Sequence, residues 1–141
     1  MVDKERVLSK VAELDSYIAE LREVSPASFD EYQLVEKKRS CERLLQLCIE
    51  CIIDICKMFV TGLKLGLPSD ENDLFSKLNA KRIVSREMAK TLREMRGLRN
   101  ILIHEYAAVD DELVYSYVKI NLKDFEEFKK QVLVAISSPR S

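Results

Sequence analysis

The chain holds one histidine, His104, and it follows Arg99 by five positions in Arg99-Asn100-Ile101-Leu102-Ile103-His104-Glu105-Tyr106. An imidazole exchanges protons near neutral pH, and a guanidinium is a permanent cation whose planar fork matches phosphate oxygens. That combination suits chemistry at a phosphodiester. At about 100° per helical residue, Asn100 and His104 share a face with Arg96 one turn further back, while Arg99 lies about 140° from His104. Tyr106 comes round to the histidine's side only if the chain turns extended, so a helix is expected to fail near His104. On residue types alone, this stretch fits a functional site and a structural cluster equally.

The elements that carry it follow from apolar spacing. Val7, Leu8, Val11, Leu14, Ile18 and Leu21 recur at three and four, predicting a helix from Asp3 to about Glu23. Ser25-Pro26 ends it, and Ser28-Phe29-Asp30-Glu31 reads as a capping box that opens one long helix running to about Leu65. The first half of that helix is polar, through Glu36-Lys37-Lys38-Arg39. Its second half is apolar nearly all round, as in a central helix covered on several sides. Gly62, Gly66 and Pro68 stop it, and Ser69-Asp70-Glu71-Asn72 opens a short helix through Leu78. After a turn at Asn79-Ala80, Ser85 caps the helix with Met88, Leu92, Met95 and Leu102 on its core face and Arg93, Arg96 and Arg99 elsewhere. Asp110-Asp111 reads as a loop. An extended or helical link is favoured over a short strand for Leu113 to Ile120. Asn121 caps a last helix striped by Leu122, Phe125, Phe128, Val132 and Ile136, and residues 137–141 fray. The expectation is one all-α domain over residues 1–141, an up-and-down bundle of four main helices and a short extra one.

Composition agrees with that class. With 47% hydrophobic residues the chain can bury a core, and three Gly with three Pro are too few for the turns of an all-β fold. A net charge of -1 gives no overall basic field, so any RNA contact must be local. Cys41, Cys48, Cys51 and Cys56 fall on one helix and read as reduced core thiols of a cytoplasmic protein, not as a zinc or disulfide framework. The most apolar stretch, Leu44 to Val60, includes Gln46, Glu50, Asp54 and Lys57, and is too short and too charged to span a membrane. No metal and no cofactor are expected.

Arg-x4-His-x-Tyr over Arg99 to Tyr106, at the end of the fourth helix of a small all-α chain, resembles the HEPN superfamily. The run Gly97-Leu98-Arg99-Asn100-Ile101-Leu102-Ile103-His104-Glu105-Tyr106, with Cys51-Ile52-Ile53-Asp54-Ile55 in the long core helix, is similar to its HepT-like toxins, the partners of minimal nucleotidyltransferases. The likeness extends from about Asp3 to Ile136. It implies a metal-independent ribonuclease toxin of a toxin-antitoxin pair, with Arg99 and His104 as the catalytic pair and Asn100 as the polar residue beside them. It also implies a nucleotidyltransferase antitoxin that transfers AMP to Tyr106, adding charge and bulk beside the Arg-His pair. In that chemistry a ribose 2′-hydroxyl attacks the adjacent phosphorus, giving a 2′,3′-cyclic phosphate and a 5′-hydroxyl.

Base and acid are two roles, and each chain has one histidine. A two-fold homodimer supplies the second, with a cleft between two copies of the Arg99-His104 helix end and Arg93 and Arg96 binding RNA phosphates there. The RNA is a tRNA or an mRNA. Glu50 and Asp54 either face that cleft or pair with Arg99, Arg96 or Lys57, because a buried carboxylate needs a cation. Two alternatives remain: a non-catalytic subunit that binds a nucleotide or substrate for a nucleotidyltransferase, and a purely structural dimerising bundle.

Overall fold

The computed structural model describes residues 1–137, apart from the side chain of Tyr106, so the expected fraying of residues 138–141 lies outside the described part. All its regular elements are helical: α1 (Lys4–Glu23), α2 (Phe29–Tyr32), α3 (Val35–Gly62), α4 (Glu71–Ala80), α5 (Arg86–His104), a 3-10 turn (Tyr106–Ala108), α6 (Asp111–Ser116), a π-helical stretch (Tyr117–Asn121) and α7 (Leu122–Ile136). Helix α3 is central, packing against α1, α4 and α5. It buries Leu45, Cys48, Ile49, Ile52, Ile53, Ile55, Cys56 and Phe59, consistent with an apolar surface nearly all round. Apolar stripes of the other helices complete one contiguous core.

Two boundaries differ from the sequence reading. The expected single helix from Ser28 to Leu65 is broken: α2 is one turn long, and Leu34 is extended at φ -63°, ψ 130° before α3 starts. The Ser28 cap does form, its Oγ accepting from the Glu31 amide at 3.1 Å, while Glu31 accepts from the Ala27 amide at 2.9 Å. The break turns α2 so that Phe29 and Tyr32 meet Tyr115, with ring centroids 5.5 and 5.8 Å away. Tyr32 is fully buried there. Helix propensity along residues 28–38 was outweighed by aromatic burial against a distant part of the chain.

The second difference is at 110–121. Asp110 is a helix cap, accepting from the amides of Glu112 and Leu113, and Asp111 pairs with Lys38 at 2.7 Å. The segment from Leu113 to Ile120 is helical, one of the two forms expected of it, whereas Asn121 lies inside continuing helix, donating to Asp124 at 3.3 Å where a cap was expected. Val114, Val118, Leu122 and Phe125 recur at four, four and three through the π turn, and all of them are buried.

Candidate active site

Helix α5 begins with the expected cap, Ser85 Oγ accepting from the Met88 amide at 3.0 Å, and its start is tied to α7 by Ser85 N donating to Gln131 Oε1 at 2.9 Å. Met88, Ala89, Leu92, Met95, Leu98 and Leu102 form its buried face. Those anchors fix the rotation of the helix and hence where its polar residues emerge. It ends at His104, as the sequence predicts, with Glu105 at φ -126°, ψ 50° outside helical space. His104 is exposed at that end, and the chain continues into the 3-10 turn that begins with Tyr106. The Tyr106 side chain lies outside the described part.

The three arginines all lean onto α4. Arg93 donates to Ser76 Oγ at 2.9 Å, and Arg96 Nε donates to Glu71 Oε1 at 3.0 Å. Arg99 donates through Nη2 to the same Glu71 oxygen and through Nε to Asn100 Oδ1 at 3.0 Å. With its side chain only 13% exposed, Arg99 is the most sheltered cation of the cluster. A guanidinium has five N–H donors. Two are engaged here, by Asn100 and Glu71, and three are not.

Glu71 was not singled out from sequence, where Ser69-Asp70-Glu71-Asn72 read only as a helix start. The Asp70 cap accepts from the Asp73 amide at 2.8 Å and fixes the first turn of α4, placing Glu71 between Arg96 and Arg99. No local pattern announces a pair separated by 28 positions.

The expected pairing of Glu50 and Asp54 with Arg99, Arg96 or Lys57 needs correction. Asp54 pairs with Lys10 of α1 at 3.6 Å, and Glu50 accepts from Gln46 at 3.1 Å. Both are partly exposed, so neither is the buried carboxylate that requires Arg99, Arg96 or Lys57. Lys10 already projects from the adjacent helix, and Glu71 takes the carboxylate place beside Arg99. The four cysteines are free and buried, as expected of core thiols. Burial, the largest cause, pushes the thiols of Cys48 and Cys51 up to about 12. No helix among the described residues is long and apolar enough to cross a membrane.

A family model described as ribonuclease HepT-like matches residues 14–132. The chain belongs to the HepT-like ribonuclease family. Its enzyme class is that of an endoribonuclease. Among HepT-like relatives, the mRNA nuclease HepT of Shewanella oneidensis is 29% identical over 122 residues, covering 86% of this chain and 92% of that protein. The tRNA nuclease HepT of Aphanizomenon flos-aquae is 31% identical over 117 residues, covering 82% of this chain and 80% of that protein. A tri-AMPylated Shewanella oneidensis HEPN toxin, solved in complex with its MNT antitoxin, superposes with a TM-score of 0.84 at 27% identity over 91% of this chain and 96% of that one. A toxin-antitoxin crystal structure with AMP-PNP gives a TM-score of 0.85 at 26% identity over 91% of this chain and 97% of that one. The HepT-like bundle is therefore shared well beyond the Arg-His segment.

Proposed function

We propose that this chain, acting over residues 1–141 as one helical domain, is the toxin of a toxin-antitoxin pair and cleaves RNA in the cytoplasm with Arg99 and His104 drawn from both protomers of a homodimer. The observation that carries the reading is the last two turns of α5: a sheltered guanidinium held by Glu71 and Asn100, and an exposed imidazole at the last helical residue. One imidazole takes the proton of the ribose 2′-hydroxyl as its oxygen bonds to phosphorus. The protonated imidazole of the second protomer gives its proton to the departing 5′-oxygen. The Arg99 donors not used by Glu71 and Asn100 stabilise the charge that builds on the phosphoryl oxygens. No metal is needed for this sequence of steps. The products are a 2′,3′-cyclic phosphate and a 5′-hydroxyl.

The exposed face of α5 supports two-fold pairing. Arg93, Gly97, Asn100 and His104 follow one another at helical spacing, and Gly97 has nothing within 4 Å of where a Cβ would stand. A glycine inside a helix costs about 0.5–1 kcal/mol against alanine. Close approach of a second α5 at that point accounts for it. Arg93 and Arg96 contribute the local positive charge to the shared cleft. A nucleotidyltransferase antitoxin silences the enzyme by transferring AMP to the Tyr106 phenol, as the AMPylated relative suggests.

Cleavage of purified tRNA and mRNA by the protein and by Arg99→Ala and His104→Ala tests the proposal. The parent should yield cyclic-phosphate ends and both variants should lose cleavage. Light scattering after gel filtration should give a dimer, and a monomer would defeat the two-histidine mechanism. The engagement of Arg99 by Glu71 and Asn100 favours a second reading, a non-catalytic nucleotide-binding subunit in which His104 is structural. Parent and variants equally inert on every RNA would decide for it.

A further inference from the structure

A hollow of about 660 Å³ opens where the last turns of α3 meet the start of α4. Its lining includes the apolar Val60, Leu67 and Leu74 together with Lys57, Lys64 and Glu71. That volume lies within the range of sites that hold small molecules. Its two carboxylates are already used: Asp70 caps α4 and Glu71 holds Arg96 and Arg99. Lys57 and Lys64 have no carboxylate partner among the described residues. The hollow thus combines an apolar lining, two cations without a carboxylate partner and a direct connection, through Glu71, to the Arg99 guanidinium.

We propose that the hollow receives the base of the RNA nucleotide next to the one whose phosphate Arg99 engages, with Lys57 and Lys64 meeting the phosphate on its far side. The proposal rests on the ribonuclease reading and adds to it the site that holds the strand in register. A splayed base is flat and largely apolar on its faces, and such bases bury against apolar side chains. Phosphates on either side find the arginine pair at one edge and the lysines at the other. A purely apolar peptide would leave those lysines unanswered, and an acidic small molecule would leave the apolar wall uncovered.

The test uses a single-stranded RNA oligomer carrying 2′-O-methyl groups, which cannot undergo attack by the 2′-oxygen, so binding is read by fluorescence anisotropy without cleavage. Thr61→Trp, at an exposed position on the wall, fills the hollow from the solvent side. It should weaken the oligomer by about tenfold, the worth of one stacked base. Leu67→Ser, at a side chain 95% exposed, leaves the core untouched and should weaken binding in the same direction. Replacing Lys57 and Lys64 together by alanine should lower the slope of log Kd against log salt by about 0.7, the worth of one single-strand phosphate contact. Native affinity in both Thr61→Trp and Leu67→Ser, with cleavage by the parent intact, overturns the base site alone. Loss of antitoxin binding in those variants at unchanged RNA affinity also overturns it and assigns the hollow to a protein. A parent that neither binds the oligomer nor cleaves RNA overturns the ribonuclease reading as well.

Discussion

Replacing Glu71 by glutamine removes one charge and almost no volume, and tests whether this carboxylate positions Arg99. Its Oε1 accepts from Arg96 Nε at 3.0 Å and from Arg99 Nη2, and the side chains of Glu71, Arg96 and Arg99 are 24%, 28% and 13% exposed. A hydrogen bond to a charged group contributes about 1.5–3 kcal/mol and a neutral one about 0.5–1.5, so two weakened bonds set an upper figure of about 2–3 kcal/mol. Partial access to water reduces that, and the expected loss is about 1–2 kcal/mol. For a chain of this size it corresponds to a fall of roughly 3–6 °C in Tm. The catalytic effect is larger than the thermal one, because a guanidinium displaced by about 1 Å can cost up to about a hundredfold in rate. Glu71→Gln should lower kcat on RNA about tenfold, with KM changed less than twofold. Calorimetry and initial rates on one RNA substrate read the two effects separately. Native Tm with native kcat would refute the positioning role. A rise in kcat would mean instead that the carboxylate masks Arg99 from phosphate.

Arg99→Lys keeps the charge and removes the fork, so it cannot reach Glu71 and Asn100 together; kcat should fall at least about tenfold, and full activity would contradict a fork-dependent role. Gly97→Ala, which meets nothing within 4 Å, should stabilise the protomer by about 0.5–1 kcal/mol and weaken dimerisation, as read by analytical ultracentrifugation; unchanged association would place the dimer interface elsewhere. The four buried thiols should resist Ellman's reagent in the native protein at pH 8 and react on unfolding, and rapid native reaction would contradict their burial. Cys48 is raised from an ordinary 9.0 to about 12, so the folded state keeps a proton that the unfolded state releases. Its contribution is complete below pH 9 and is lost as pH climbs toward 12, at about 1.4 kcal/mol per pH unit. Denaturant midpoints measured from pH 8 to 11 should decline accordingly, and a flat profile would refute it.

Spacing alone made the helical class, α1, the α5 cap at Ser85, the end of α5 at His104 and the burial of the cysteines legible. Each depends on residues within a turn or two of one another, where 3.6-residue periodicity and caps express themselves directly. The break at Leu34, the π stretch at Tyr117–Asn121 and the Asp54–Lys10 pair were not legible. Tyr115 closing on Phe29 and Tyr32, and Lys10 crossing from α1, are contacts between segments far apart in the chain. The same divide runs through the site. The order of residues identified Arg99, Asn100 and His104 as the group to watch, because their types and helical spacing are local. Only the packing of α4 on α5 decided that Glu71 would grip Arg99 and that a hollow would open beside it, since both depend on how two rigid helices are rotated by the cores they bury.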